Sequence, residues 1–158
     1  MNKFYIKYVS VILLFILTSC SYQPIFSQKS YNFEIDKIKY SGEKQINNII
    51  KNKLNLIKNN EGQGDRKYNL TINSYKERFI VSKDSKGDPL KFELIVTINY
   101  EVAHNDNLLL VKTITKNNIY NNVVDKFKLE QNEKIIIENL SEKISEIIIS
   151  SMINLDDN

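Results

Sequence analysis

Residues 90–102 read "LKFELIVTINYEV", and every even-numbered position is apolar: Leu90, Phe92, Leu94, Val96, Ile98, Tyr100 and Val102. Between them stand Lys91, Glu93, Ile95, Thr97, Asn99 and Glu101, all polar but Ile95. Successive side chains of a strand point to opposite faces, so this spacing predicts a strand with one buried face and one open face. A one-sided strand needs neighbours in a sheet and a layer to cover it. "HNDN", residues 104–107, predicts a tight turn, after which Leu108 to about Ile119 returns as a hairpin partner. On the other side, "KDSKGDP", residues 83–89, is a turn or longer loop.

Further upstream, Tyr68, Leu70 and Ile72 alternate with Asn69, Thr71 and Asn73. Tyr75, Phe79 and Val81 then take the opposite parity, which predicts one strand with a bulge or bend near Ser74. "FEIDKIKYS", residues 33–41, predicts a first strand ending at Gly42. Ile46, Ile49, Ile50, Leu54 and Ile57 recur at three- and four-residue spacing, predicting an amphipathic helix over about Glu43 to Lys58. "NNEGQGDR", residues 59–66, has no apolar residue and predicts a loop. A last helix runs from about Val124 to Met152, its apolar stripe traced by Phe127, Ile136, Leu140, Ile144, Ile147 and Ile148. Asp125 near its start suits the helix dipole, and Glu130 with Lys134 makes a favourable pair on the other face. The expectation is an α+β fold: a four-stranded, mostly antiparallel sheet with two helices on one face, in the order β-α-β-β-β-α. Residues 33–155 make one domain, without internal repeats, and 156–158 a frayed tail.

The start of the chain has a different character. Lys3 and Lys7 precede an apolar run from Tyr8 to Leu17, broken only by Ser10, and the chain turns polar at Thr18. A basic start and an apolar core of about ten residues have the form of a secretory signal. A short anchor would share these features, but a spanning helix needs about 20 apolar residues. Thr18 and Ser19 would serve for ordinary signal cleavage, whereas Leu17-Thr18-Ser19-Cys20 resembles the lipobox of bacterial lipoproteins. In that family a diacylglycerol is joined to the cysteine, the chain is cut before it, and the new amine is acylated. Cys20 is the only cysteine, so no disulfide can staple the domain, and a bare thiol would be open to oxidation outside the cell. Cys20 is therefore the expected lipid attachment point, residues 1–19 the signal peptide and 20–32 a polar tether containing Pro24. Ser21 stands where the inner-membrane retention signal of lipoproteins usually has Asp, so the resemblance points to the outer membrane.

Formal charge is +3 over the whole chain; without Lys3 and Lys7, 20 basic residues face 19 acidic ones and leave +1. Net charge thus gives no support to nucleic-acid binding. His104, the only histidine, falls in a predicted turn without metal-ligating neighbours and is read as a solvent-exposed turn residue. Glu34 and Asp36, two apart on one strand, are a carboxylate pair of a commonplace kind with no pocket signal in the sequence around them. No nucleophile motif, phosphate loop or metal spacing appears, so no catalytic residue, metal or cofactor is expected. Arg66, Lys67, Lys76, Arg78, Lys83, Lys86 and Lys91 outnumber Glu77, Asp84 and Asp88 over residues 66–91. Lys76, Arg78, Lys83, Lys86 and Lys91 are the candidates for binding the phosphates of an anionic lipid, through charge-assisted hydrogen bonds at one end of the sheet. The plainer reading is a solvated edge on which lysines prevent aggregation.

Cys20-Ser21-Tyr22-Gln23-Pro24-Ile25-Phe26 resembles the mature start of the short-form LptE family, often Cys-Gly-Phe-Gln-Pro-Leu-Tyr. Ile119-Tyr120-Asn121-Asn122-Val123-Val124-Asp125-Lys126-Phe127 is similar to the segment that opens that family's last helix. The helix itself departs from the pattern, being rich in Ile and Lys where the family has alanine. The resemblance implies two helices on a four-stranded sheet, and an outer-membrane lipoprotein on the periplasmic side. It further implies a β-barrel partner, LptD, whose lumen the protein plugs, and a part in delivering lipopolysaccharide to the surface. A free-standing periplasmic module holding a lipid or peptide between sheet and helices is the alternative; a hydrolase has no constellation to support it. Cys20→Ala should leave an uncleaved or soluble precursor without label after growth on radioactive palmitate. Labelling equal to wild type would exclude Cys20 as the acylated residue.

Overall fold

The structure is a computed structural model and describes residues 33–58 and 66–156. The expected signal peptide, Cys20, the tether and the loop after the first helix lie outside the described residues, apart from Arg66, as do 157 and 158. Six elements follow in order: β1 (Phe33–Gly42), α1 (Lys44–Lys58), β2 (Arg66–Lys83), β3 (Pro89–His104), β4 (Asn107–Asn121) and α2 (Lys126–Asp156). They form one sheet in the order β1-β2-β3-β4. β1 runs parallel to β2, while β2–β3 and β3–β4 are antiparallel. The fold is α+β, with the expected order of elements.

The alternation over residues 90–102 decides which face is covered. Phe92, Leu94, Val96, Ile98, Tyr100 and Val102 are all buried, as are Tyr68, Leu70 and Ile72 on β2. α1 lays Ile46, Ile50, Leu54 and Ile57 on this face, and α2 adds Ile137, Leu140, Ile144, Ile148, Ile149 and Met152 to the same core. Each of these larger side chains contributes on the order of 2 kcal/mol by leaving water. Lys53 Nζ and Glu142 Oε1 join the helices at 2.9 Å. Burial pushes the Tyr40 phenol up to about 12 and raises that of Tyr100.

In β1, Phe33 and Ile35 are buried, whereas Ile38 and Tyr40 of the other parity pack against the same core. A register shift between Ile35 and Lys37 reconciles the two sets by inserting one residue. Asn105 and Asp106 both have positive φ, 49° and 63°, giving the β3–β4 hairpin the two-residue turn that suits strand twist. His104 is half-buried there: Nδ1 donates to the Lys67 carbonyl at 2.8 Å, and Nε2 lies 3.0 Å from Asn105 Nδ2. It is thus less exposed than a turn position suggests.

Two expectations are corrected. β2 does not bulge at Ser74: its pairing with β3 is regular from Asn69↔Ala103 to Ile80↔Phe92, and the shifts come at Ile80–Lys83. Tyr75 and Phe79 are therefore on the face away from the helices, and both are exposed, as is Val81 at the shift. Nor does Phe127 belong to the stripe of α2; it is 69% exposed, and Leu129, at 5%, takes its place. Asp125 Oδ1 accepts the N–H groups of Phe127 and Lys128, so the helix starts at Lys126. Counting back from Leu140 by steps of three and four reaches Ile137, Glu133 and Leu129, and Phe127 falls about 200° round from Leu129.

β1 leaves the sheet at a tight corner. Glu43 N–H donates to Ser74 O at 3.1 Å, and buried Ser74 Oγ lies 3.3 Å from both Ser41 O and Glu43 O. Gly42 has φ +88°, and a Cβ there would come within 1.9 Å of the Ser74 carbonyl oxygen. Gly87, with φ +93°, has open space around it. Gly42→Ala should accordingly cost roughly 3 kcal/mol or more, because backbone strain and overlap add. Gly87→Ala should cost about 1 kcal/mol from the left-handed conformation alone. Urea unfolding of the two variants checks the order; equal losses would contradict the corner geometry.

Candidate functional site

β2 is longer than its parallel neighbour. β1 accompanies it from Arg66 to Ser74 only, and among the described residues 75–83 pair with β3 on one side alone. At roughly 3.3 Å per residue, β2 extends for nearly 60 Å. The far end of the sheet, formed by β2 beyond Ser74, the start of β3 and the end of β4, projects past the bulk of the helical layer. Tyr75, Phe79, Ile80, Val81, Leu90 and Ile119 are exposed there, with Val124 and Phe127 beside the start of α2.

One contact ties this end to α2. A single oxygen, Glu133 Oε1, accepts hydrogen bonds from Arg78 Nη1 at 2.8 Å and from Tyr120 Oη at 2.6 Å. The Arg78 guanidinium also lies 4.7 Å from the Phe92 ring centroid, and the Phe92 and Tyr120 rings are 5.8 Å apart. Burial, reinforced by the Glu133 hydrogen bond, holds the Tyr120 phenol well above the usual tyrosine range. The hydrogen bond to Glu133 is also the main cause of a raised Arg78 pKa. Sequence spacing does not reveal this clamp, since Arg78 and Glu133 are 55 residues apart. Tyr120 belongs to one of the stretches on which the family resemblance rests.

The basic residues of 66–91 are spread along the strand. Arg66 and Lys67 stand at the β1 start: Arg66 Nη1 donates to Leu155 O at 3.4 Å, and Lys67 pairs with Glu34 at 3.4 Å. Lys76 lies midway, 3.8 Å from Glu43, and Arg78 is held by Glu133. Lys83, Lys86 and Lys91 come together at the β2–β3 tip, exposed and without an ion pair among the described residues. Asp84 organises that tip. Its Oδ1 accepts the N–H of Lys86 at 2.9 Å and of Asp88 at 2.8 Å, while Gly87 N–H donates to its carbonyl at 3.1 Å. Asp84 so shapes the turn that presents Lys86.

The face of the sheet opposite the helices is lined with hydrogen-bonded polar side chains. Thr97 and Thr115 hydroxyls are 3.1 Å apart, Thr113 donates to Asn99 Oδ1 at 2.8 Å, and Asn117 pairs with Glu93. A shallow depression of about 360 Å³ lies at the corner where β1 ends, between Gly42, Ser74, Lys76 and Thr97. Among the described residues no three of His, Cys, Asp and Glu are grouped to hold a metal, and no helix is long and apolar enough to cross a membrane.

Known proteins share this architecture. No family model matches the sequence, and no curated protein does. Solved structures do: rare lipoprotein B from Shewanella oneidensis has 18% identity and a TM-score of 0.56, covering 77% of this chain and 99% of its own. A minor lipoprotein from Acinetobacter baumannii has 16% identity and a TM-score of 0.51, covering 73% and 92%. Lipoprotein B from Nitrosomonas europaea has 10% identity and a TM-score of 0.52, covering 80% and 88%. At such identities the likeness is one of fold.

Glu133→Gln removes the charge shared by Arg78 and Tyr120. It should lower stability by roughly 1–2 kcal/mol, because a charge-assisted bond is lost at a partly exposed site. Urea unfolding is the check, and an unchanged midpoint would show that the clamp does not hold α2 to the sheet.

Proposed function

We propose that this chain is an outer-membrane lipoprotein, anchored on the periplasmic side by acyl chains on Cys20. There it acts as a non-enzymatic assembly factor and plug for an LptD-like β-barrel in lipopolysaccharide transport. Its strongest support is that two independent resemblances coincide. The Cys-Ser-Tyr-Gln-Pro-Ile-Phe lead-in at residues 20–26 resembles the LptE start, and the fold resembles that of rare lipoprotein B, itself a lipoprotein by name. Several acyl chains, at ~0.8 kcal/mol per buried CH₂, give a hold on the membrane that one chain cannot.

Lys83, Lys86 and Lys91 are the cations through which the tip would meet lipopolysaccharide phosphates. Lys76 and Arg78 contribute less, because each already has a carboxylate beside it. A free-standing binding module would hold its ligand between sheet and helices. That layer is instead occupied by side chains such as Ile35, Ile46, Ile50, Ile72, Ile98 and Ile144, all fully buried.

Affinity purification of the tagged lipoprotein from outer membranes in mild detergent should recover a large barrel protein together with lipopolysaccharide. Lys83→Glu with Lys86→Glu should keep the barrel and lose lipopolysaccharide, more so at low salt. Recovery of the lipoprotein alone would refute the barrel assignment, and unchanged lipopolysaccharide would refute the role of the tip.

A further inference from the structure

The β3–β4 hairpin closes the end of the sheet at which β1 enters, and its flank is apolar and open. Leu108 is 58% exposed, Leu109 45% and Val111 59%. A register shift makes this possible. Val102 pairs with Leu110 and Ala103 with Leu108, so Leu109 is an extra residue on β4. Two consecutive leucines thus turn outward where a regular strand would turn one. The hairpin is also firmly seated: His104 Nδ1 donates to the Lys67 carbonyl at 2.8 Å, and the His104 ring meets the Tyr68 ring edge-on at 6.1 Å. Neighbouring aliphatic side chains held half out of water on a rigid frame mark a contact.

The place where the chain enters the body says which contact. β1 starts at Phe33, paired with Arg66, and three strand spacings separate β1 from β4, so the hairpin stands about 15 Å from the point of entry. The stretch from Cys20 to Phe33 spans at most about 45 Å. On the reading that Cys20 is acylated, which this inference rests on, this end of the body is kept beside the bilayer, whereas Lys83 lies about 55 Å further along β2. We propose that Leu108, Leu109 and Val111 form a second, non-covalent membrane contact, a flank of the hairpin that rests in the boundary between headgroups and acyl chains. Asn105, Asp106 and Asn107 at the turn stay at headgroup level, because a carboxylate is costly in hydrocarbon. The charges at this end are of mixed sign, Arg66, Lys67 and Lys112 beside Glu34, Glu101 and Asp106, so apolar area and not headgroup charge drives the contact. The anchor makes this second contact intramolecular, and three side chains then suffice where they would not bind a membrane unaided. Its effect is to fix which way the body faces.

The chain has no tryptophan, so Leu109→Trp supplies a single reporter, and Leu90→Trp, at a similarly exposed position of the far end, supplies the control. Each full lipoprotein is placed in vesicles of phosphatidylethanolamine and phosphatidylglycerol, part of the lipid being brominated near the top of its acyl chains. Intact-mass analysis of the same preparation reports whether Cys20 carries acyl chains. Bromine should quench the reporter at 109 about threefold more than the one at 90. Adding Leu108→Asp and Val111→Asp should abolish that difference while the protein stays on the vesicles. Acylated protein that is quenched equally at the two positions, or in which the aspartates change nothing, would overturn the hairpin contact and leave the anchor standing. A blue shift at 109 without quenching, growing with the protein-to-lipid ratio, would overturn it in favour of a second copy. A bare Cys20 would instead overturn the anchor reading, and the hairpin contact with it.

Discussion

A ten-residue strand cannot flank the whole of an eighteen-residue one, and this mismatch between β1 and β2 shapes the rest of the molecule. Where both are present, the sheet has four strands, and α1 and α2 bury one face of it in a continuous layer of Ile, Leu, Val and Tyr. Where β1 stops, the corner at Gly42 and Ser74 turns the chain into α1, and the cover on that side of the sheet ends with it. The remaining three strands are held by their own ladders and by the Arg78–Glu133–Tyr120 clamp. Residues that would be core in a squarer sheet are left as surface.

The two ends of the sheet differ in consequence. β1 enters at Phe33 opposite Arg66, beside the His104–Asn107 turn, so the segment that carries Cys20 joins the body there. Lys83, Lys86 and Lys91 stand at the other end, nearly a full strand length away. With the proposed anchor on Cys20, the body would be held at one end and would present cations and apolar side chains at the other, which suits a part that is fitted into something larger. Packing makes the near end stable, and exposure makes the far end available.

Much of this was legible in the residues. The alternation of 90–102 identifies a half-buried strand because a sheet covered on one side demands it, and the spacing of Ile46, Ile50, Leu54 and Ile57 identifies α1 for the same reason. The change of parity at Ser74 was misleading. It marks the place where cover is lost, after which either face tolerates apolar residues, and a pattern of side chains cannot distinguish that from a bend in the backbone. Phe127 misled for a related reason: only the cap at Asp125 fixes the phase of α2. Basic residues close in sequence looked clustered, yet an extended strand spreads them over tens of ångströms, and the Glu133 partner of Arg78 arrives from a remote helix.

The account rests on β2 being one continuous strand that runs from the end where β1 enters to the cationic tip. Spin labels at Lys67→Cys and Lys83→Cys, in a chain carrying Cys20→Ala, measure this directly by electron–electron dipolar coupling. The fold described here predicts one narrow distance distribution near roughly 50 Å, from sixteen residues at about 3.3 Å each. A broad distribution, or one centred well short of that value, would mean that the strand bends or melts beyond Ser74 and would contradict the account.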